Sequence, residues 1–104
     1  MNLRDLLEEE AADLPGTEPA PGPDGSLTWA RTGRTFAAVS DDGSSAEFAL
    51  EPAVADAAAR TPDVKASGRG PGWVVFAPHE LDDHAADRAV AWLASAHRRA
   101  EPRN

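Results

Sequence analysis

Apolar residues recur at helical spacing near both ends of the chain and at two-residue spacing in between. The first amphipathic segment covers residues 3–14, and Asn2 stands where an N-cap is expected. Its apolar face consists of Leu3, Leu6, Leu7, Ala11 and Leu14. Asp82 or Asp83 caps a second, longer amphipathic segment, which runs to about Arg99. The chain is therefore predicted to begin and end with a helix.

The segment between these helices reads mainly as short strands. Residues 15–25 are rich in proline and glycine, and we predict a loop there. Strand-like runs follow at 27–32, 34–40 and 45–50. Thr32-Gly33 and Asp41-Asp42-Gly43 are turn signals, so these three runs should form an antiparallel meander.

The remaining pattern adds one helix and two strands. A short helix opens at Glu51-Pro52 and closes at Thr61-Pro62. A weak strand at 64–67 and a strong one at 73–77 flank the glycine-rich loop 68–72. The sequence thus predicts a single α+β domain over residues 1–104. The expected architecture is a two-layer sandwich, with an antiparallel sheet of about five strands covered on one face by the N- and C-terminal helices.

Composition narrows the class of protein. The 104 residues include no cysteine, which excludes disulfides and thiol chemistry and fits a reducing cytoplasm. No apolar run is long enough for a membrane span, and the acidic start lacks the pattern of a secretory signal. The formal net charge is −8, and residues 1–30 carry −6 of it (one basic and seven acidic residues). We expect a cytoplasmic protein with no membrane partner.

Several short motifs, in their order along the chain, resemble the MmcQ/YjbR-like family of small bacterial proteins, whose fold is related to that of frataxin. They are Leu14-Pro15-Gly16-Thr17, Trp29, Gly33-Arg34-Thr35-Phe36-Ala37, Gly72-Trp73-Val74 and Ala91-Trp92-Leu93-Ala94-Ser95. The resemblance covers about residues 3–100. It implies an α+β fold and DNA binding through protruding hairpins likened to a double wing.

Four basic residues fit that implied role. Arg31 and Arg34 bracket the Thr32-Gly33 turn, whereas Lys65 and Arg69 flank or occupy the glycine-rich loop. Guanidinium and ammonium groups at two hairpin tips could neutralise phosphates, so these four are the candidate nucleic-acid-binding residues. The acidic net charge opposes such binding at long range, and we expect it to be weak and salt-sensitive. Arginine at hairpin ends is also ordinary surface decoration.

Two alternatives need no nucleic acid. The first is an adaptor that binds a protein partner through the open sheet face or the hairpin tips. The second is weak metal binding by the acidic ridge of the first helix, which comprises Asp5, Glu8, Glu9, Glu10 and Asp13. His79 and His84 are five residues apart instead of the four that a helical metal pair needs. No nucleophile or phosphate-loop pattern is present, so we expect no enzyme activity, no cofactor and no dedicated metal site.

Overall fold

The computed structural model describes residues 2–101 of the chain, which form three α-helices and six strands. In chain order these are α1 (Leu3–Ala11), β1 (Thr17–Pro21), β2 (Leu27–Arg31), β3 (Arg34–Val39), β4 (Ala46–Ala49), α2 (Pro52–Ala59), β5 (Val64–Ala66), β6 (Trp73–Phe76) and α3 (Asp83–Arg99). The α+β prediction is confirmed. None of the helices in this range is long and apolar enough to cross a membrane.

Both terminal helices begin at the caps that the sequence predicts. The Asn2 side chain accepts a hydrogen bond from the backbone N–H of Asp5 at 3.0 Å. The Asp82 carboxylate accepts one from the backbone N–H of Ala85 at 2.8 Å. Each cap satisfies a donor that the first helical turn leaves without a partner.

The sheet has one strand more than expected, because residues 17–21 form β1 instead of belonging to a loop over 15–25. β1 pairs antiparallel with β2, with Glu18 opposite Ala30 and Ala20 opposite Thr28. The prolines of the segment, at 19 and 21, have no N–H and would interrupt a central strand. Because these prolines are two residues apart on an edge strand, both of their nitrogens lie on the side away from β2, where no N–H is needed. The residue between them can therefore still pair with β2.

All neighbouring strands are antiparallel, in the order β1-β2-β3-β4-β6-β5. The first four follow the chain, which confirms the predicted meander and adds β1 at its edge. After β4 the chain crosses through α2 to β5 at the far edge and returns as β6 between them. The two short strands predicted after α2 thus close one side of the sheet.

One face of the sheet carries the hydrophobic core. Trp29, Ala37, Phe48 and Val74 lie side by side across four strands and are buried with residues of all three helices. A bulge between β2 and β3 adds Phe36 to the same buried set. Side chains alternate along a strand, so the neighbouring row occupies the opposite, open face: Thr28, Ala38, Glu47, Val75 and Lys65.

Candidate anion-binding cleft

The two loops singled out in the sequence lie at the same end of the sheet. The β2–β3 turn, Thr32-Gly33, directly precedes Arg34 at the start of β3. β4 runs antiparallel to β3 and therefore ends on that side, where the Leu50 N–H donates to the Gly72 carbonyl at 2.8 Å. The β5–β6 loop thus closes beside the end of β4. We call this side of the molecule the arginine end.

The last turn of α3 reaches the arginine end as well. Arg99 lies beside Gly72, since a Cβ built on that glycine would be 3.8 Å from the Arg99 Nη2 atom. Between α3, the β2–β3 turn and the start of α2 is a cleft of about 470 Å³. Its lining consists of Arg31, Thr32, Arg34, Glu51, Arg99, Ala100 and Glu101. Three guanidinium groups from three elements therefore surround one concave surface.

Arg31 is the most firmly held of the three. Its Nη1 donates to the His97 carbonyl oxygen at 3.0 Å and lies 3.3 Å from Nδ1 of the same residue. Its Nη2 is 4.0 Å from a carboxylate oxygen of Glu101, and only 17% of the side chain is exposed. The chain separates these partners by 66 residues or more, so the contact depends on α3 packing over β3 and β4. The contacts with the last turn of α3 thereby fix the direction of the Arg31 guanidinium.

His97 anchors that contact from inside the core. It is buried, and its Nε2 lies 2.7 Å from the carbonyl oxygen of Pro15. A carbonyl oxygen only accepts, so Nε2 donates and Nδ1 is left to accept from Arg31. The ring also meets Phe36 edge-on, with the centroids 5.6 Å apart. One imidazole thus joins the segment between α1 and β1, the bulged strand and Arg31.

Arg34 and Arg99 are not held in this way. Neither side chain makes a hydrogen bond or ion pair with any residue between 2 and 101. Arg34 is exposed and Arg99 is half-buried. Glu51 and Glu101 are the acidic residues of the lining. Three arginines and two glutamates give the lining a formal charge of +1, in a chain whose formal net charge is −8.

The other two predicted residues lie on the opposite, open face of the sheet. Lys65 is exposed in the row that contains Glu47. Arg69 pairs with Glu47, with Nε and Oε1 3.0 Å apart, and its guanidinium carbon is 5.4 Å from the ring centroid of Trp73. Ser67 donates a further hydrogen bond to the Glu47 carboxylate. The structure therefore brings Arg31 and Arg34 together but separates them from Lys65 and Arg69.

Sequence reasoning missed the third arginine of the cleft. The position of Arg99 in the last helical turn has a sufficient local explanation, because basic residues there offset the helix dipole. The run His97-Arg98-Arg99 carries no signal that its last member faces a strand turn some 65 residues earlier. Only the packing of α3 over the sheet sets that neighbourhood.

The other charged clusters give no comparable site. No group of three or more His, Asp or Glu side chains in the described part of the chain is placed to hold a metal ion. On the acidic ridge, the Glu8 carboxylate is bound by Arg4 at 3.2 Å. In the β3–β4 turn, hydrogen bonds from Ser44 and Ser40 hold the pKa of Asp42 below its ordinary value.

No protein-family model matches the chain, and no curated protein matches it. The resemblance to the MmcQ/YjbR-like family therefore stays a prediction that depends on the short motifs alone. The arginine-lined cleft is the feature of the described residues with the most distinctive chemistry.

Proposed function

We propose that this protein is a non-enzymatic, cytoplasmic nucleic-acid-binding protein that contacts phosphates at its arginine end. One observation carries the proposal: the β2–β3 turn and the end of α3 meet there, and Arg31, Arg34 and Arg99 line a common cleft. Guanidinium groups bind phosphate oxygens in bidentate, charge-assisted pairs. Membership of the MmcQ/YjbR-like family, which the sequence motifs suggest, would agree with this role.

The geometry favours Arg34 and Arg99 as the residues that meet a ligand. Both lack an acidic partner within residues 2–101, so a phosphate would not have to displace one. Arg69 by contrast would first have to leave Glu47 and Trp73. Three phosphate contacts correspond to a slope of log affinity against log salt of about −2.7 on duplex DNA. Binding would therefore weaken steeply as salt is raised to physiological levels.

Fluorescence anisotropy with a short labelled duplex, at about 20 and 150 mM salt, tests the proposal. We expect Arg34→Gln and Arg99→Gln each to weaken binding several-fold, because each removes a charge-assisted hydrogen bond. Arg88→Gln is the matched control, since Arg88 is exposed on α3 eleven residues before Arg99. Lys65→Gln asks whether the open face contributes.

The outcomes separate the alternatives. Unchanged affinity in the double variant of Arg34 and Arg99 would refute the proposal. Equal weakening by Arg88→Gln would also refute it, because the effect would then follow total charge and not the cleft. Weakening by Lys65→Gln alone would move the binding surface to the open face of the sheet.

A protein partner on the open face is the second candidate, favoured by the half-buried Trp73 and Val75 there. Apolar side chains on an exposed sheet face are typical of contact surfaces. Pull-down with the parent and with Val75→Arg, followed by mass spectrometry, tests it. A protein captured equally by both would exclude this face as its binding surface.

A further inference from the structure

We propose that the cleft at the arginine end binds a terminal phosphate group, that is, the phosphomonoester of a nucleotide or of an oligonucleotide end. The inference rests on the proposed function and specifies which part of a nucleic acid enters the cleft. It is carried by the number, direction and charge of the groups that line the cleft.

The number of donors matches a terminal phosphate. A phosphomonoester has three free oxygens, whereas an internal phosphodiester has two. Arg31, Arg34 and Arg99 approach the cleft from β2, β3 and α3, so three guanidinium groups face one volume from different directions. At an internal phosphate the three guanidinium groups would have to share two oxygens, whereas a terminal phosphate offers one oxygen to each.

Arg31 is prepared for such a ligand. Only its Nη1 is used in hydrogen bonds, to the backbone and ring of His97. Nε and Nη2 make no hydrogen bond with residues 2–101, although Glu101 lies 4.0 Å from Nη2. Because packing already restricts the side chain, a ligand loses less affinity to ordering it than it would with a free arginine.

Charge favours the same ligand. The cleft lining carries +1, since Glu51 and Glu101 offset two of its three arginines. A phosphomonoester carries about −1.5 to −2 at neutral pH, against −1 for an internal phosphate, and the more highly charged group gains more. The volume of about 470 Å³ is within the range of small-molecule sites and admits a nucleotide-sized group.

Anisotropy with fluorescent ten-nucleotide single strands provides the test. Each strand carries the label at one end and either a phosphate or a hydroxyl at the other, and both label positions are used so that 5′- and 3′-phosphates are each compared with their own hydroxyl form. We expect a phosphorylated end to bind about tenfold tighter than the hydroxyl form, the gain of one further charge-assisted hydrogen bond. Unlabelled nucleoside monophosphate should compete.

Arg98 offers a close control. It is adjacent to Arg99 and exposed but does not line the cleft. The preference for a phosphorylated end should disappear in Arg34→Gln and Arg99→Gln and persist in Arg98→Gln. Thermal melts of each variant exclude loss of fold as the cause.

Each other result has a distinct meaning. Equal affinity for phosphate and hydroxyl ends, with both weakened by Arg34→Gln, overturns this inference and leaves the proposed function standing. A preference for phosphate that survives in both cleft variants overturns it as well, because the end then binds elsewhere. If no strand and no duplex binds, the inference and the proposed function fail together.

Discussion

The glycine that closes the β5–β6 loop against β4 allows a quantitative prediction about the arginine end. Gly72 has a φ of +81°, and a Cβ there would lie 2.5 Å from the Leu50 carbonyl oxygen. Gly33 in the β2–β3 turn has nearly the same φ, +79°, but a Cβ there meets no atom within 4 Å. Comparing alanine at the two positions therefore separates the cost of the backbone conformation from the cost of the steric contact.

The two substitutions should differ in cost. A left-handed backbone costs a non-glycine residue about 1–2 kcal/mol, and alanine recovers about 0.4–1 kcal/mol by restricting the unfolded chain. Gly33→Ala should thus lose about 1 kcal/mol. Gly72→Ala must in addition move the Leu50 carbonyl, which threatens the hydrogen bond from Leu50 N–H to the Gly72 carbonyl and the packing of a buried leucine. We expect a total of about 3 kcal/mol or more.

Urea unfolding monitored by circular dichroism measures both variants against the parent. For a domain of this size 1 kcal/mol corresponds to about 4–8 °C in Tm, so thermal melts give a second reading. A Gly72→Ala variant no less stable than Gly33→Ala would refute the reasoning, since the close approach to Leu50 would then carry no cost. A Gly72→Ala protein as stable as the parent would also contradict the position of the β5–β6 loop beside α3.

Three further predictions concern single side chains. His97→Phe keeps an aromatic ring but leaves the Pro15 carbonyl without its donor, so unfolding experiments should show a loss of about 1–3 kcal/mol; an unchanged stability would contradict the contact. Asp42→Asn should destabilise the protein at neutral pH, and the destabilisation should shrink as the pH falls below about 4. The reason is that the pKa of Asp42 is lowered in the folded protein, so this carboxylate stabilises the fold only while it is ionised. Parallel stability–pH curves for Asp42→Asn and parent would exclude that role. Thr32→Asn should raise stability by about 0.5–1 kcal/mol, because Thr32 has a φ of +53° that asparagine tolerates better; a lower Tm would contradict this.

Local signals account for most of the fold. Asn2 and Asp82 were predictable as caps because a side-chain oxygen there is chemically specific. The β2–β3 hairpin was predictable from a two-residue turn. The edge strand β1 was not, because proline is a general strand breaker and only its position at an edge makes it compatible with pairing.

The site was predictable only in part, for a different reason. Arg31 and Arg34 stand out in the sequence through their turn, yet the fold decides which side of the sheet each basic residue faces. The bulge in β3 and the packing of α3 direct Arg31 to His97, whereas Glu47 draws Arg69 to the open face. Long-range contacts of this kind have no local sequence signature, so the sequence alone grouped four basic residues that the structure divides between two separate surfaces.

The two outer strands also determine how this molecule behaves at high concentration. Along β1 the prolines leave few donors for another chain, and β5 is only three residues long with Lys65 at its centre. Neither edge strand could form a continuous hydrogen-bond ladder with a strand of another chain. The sheet is therefore protected against growth by strand addition, and self-association would have to use side-chain surfaces instead.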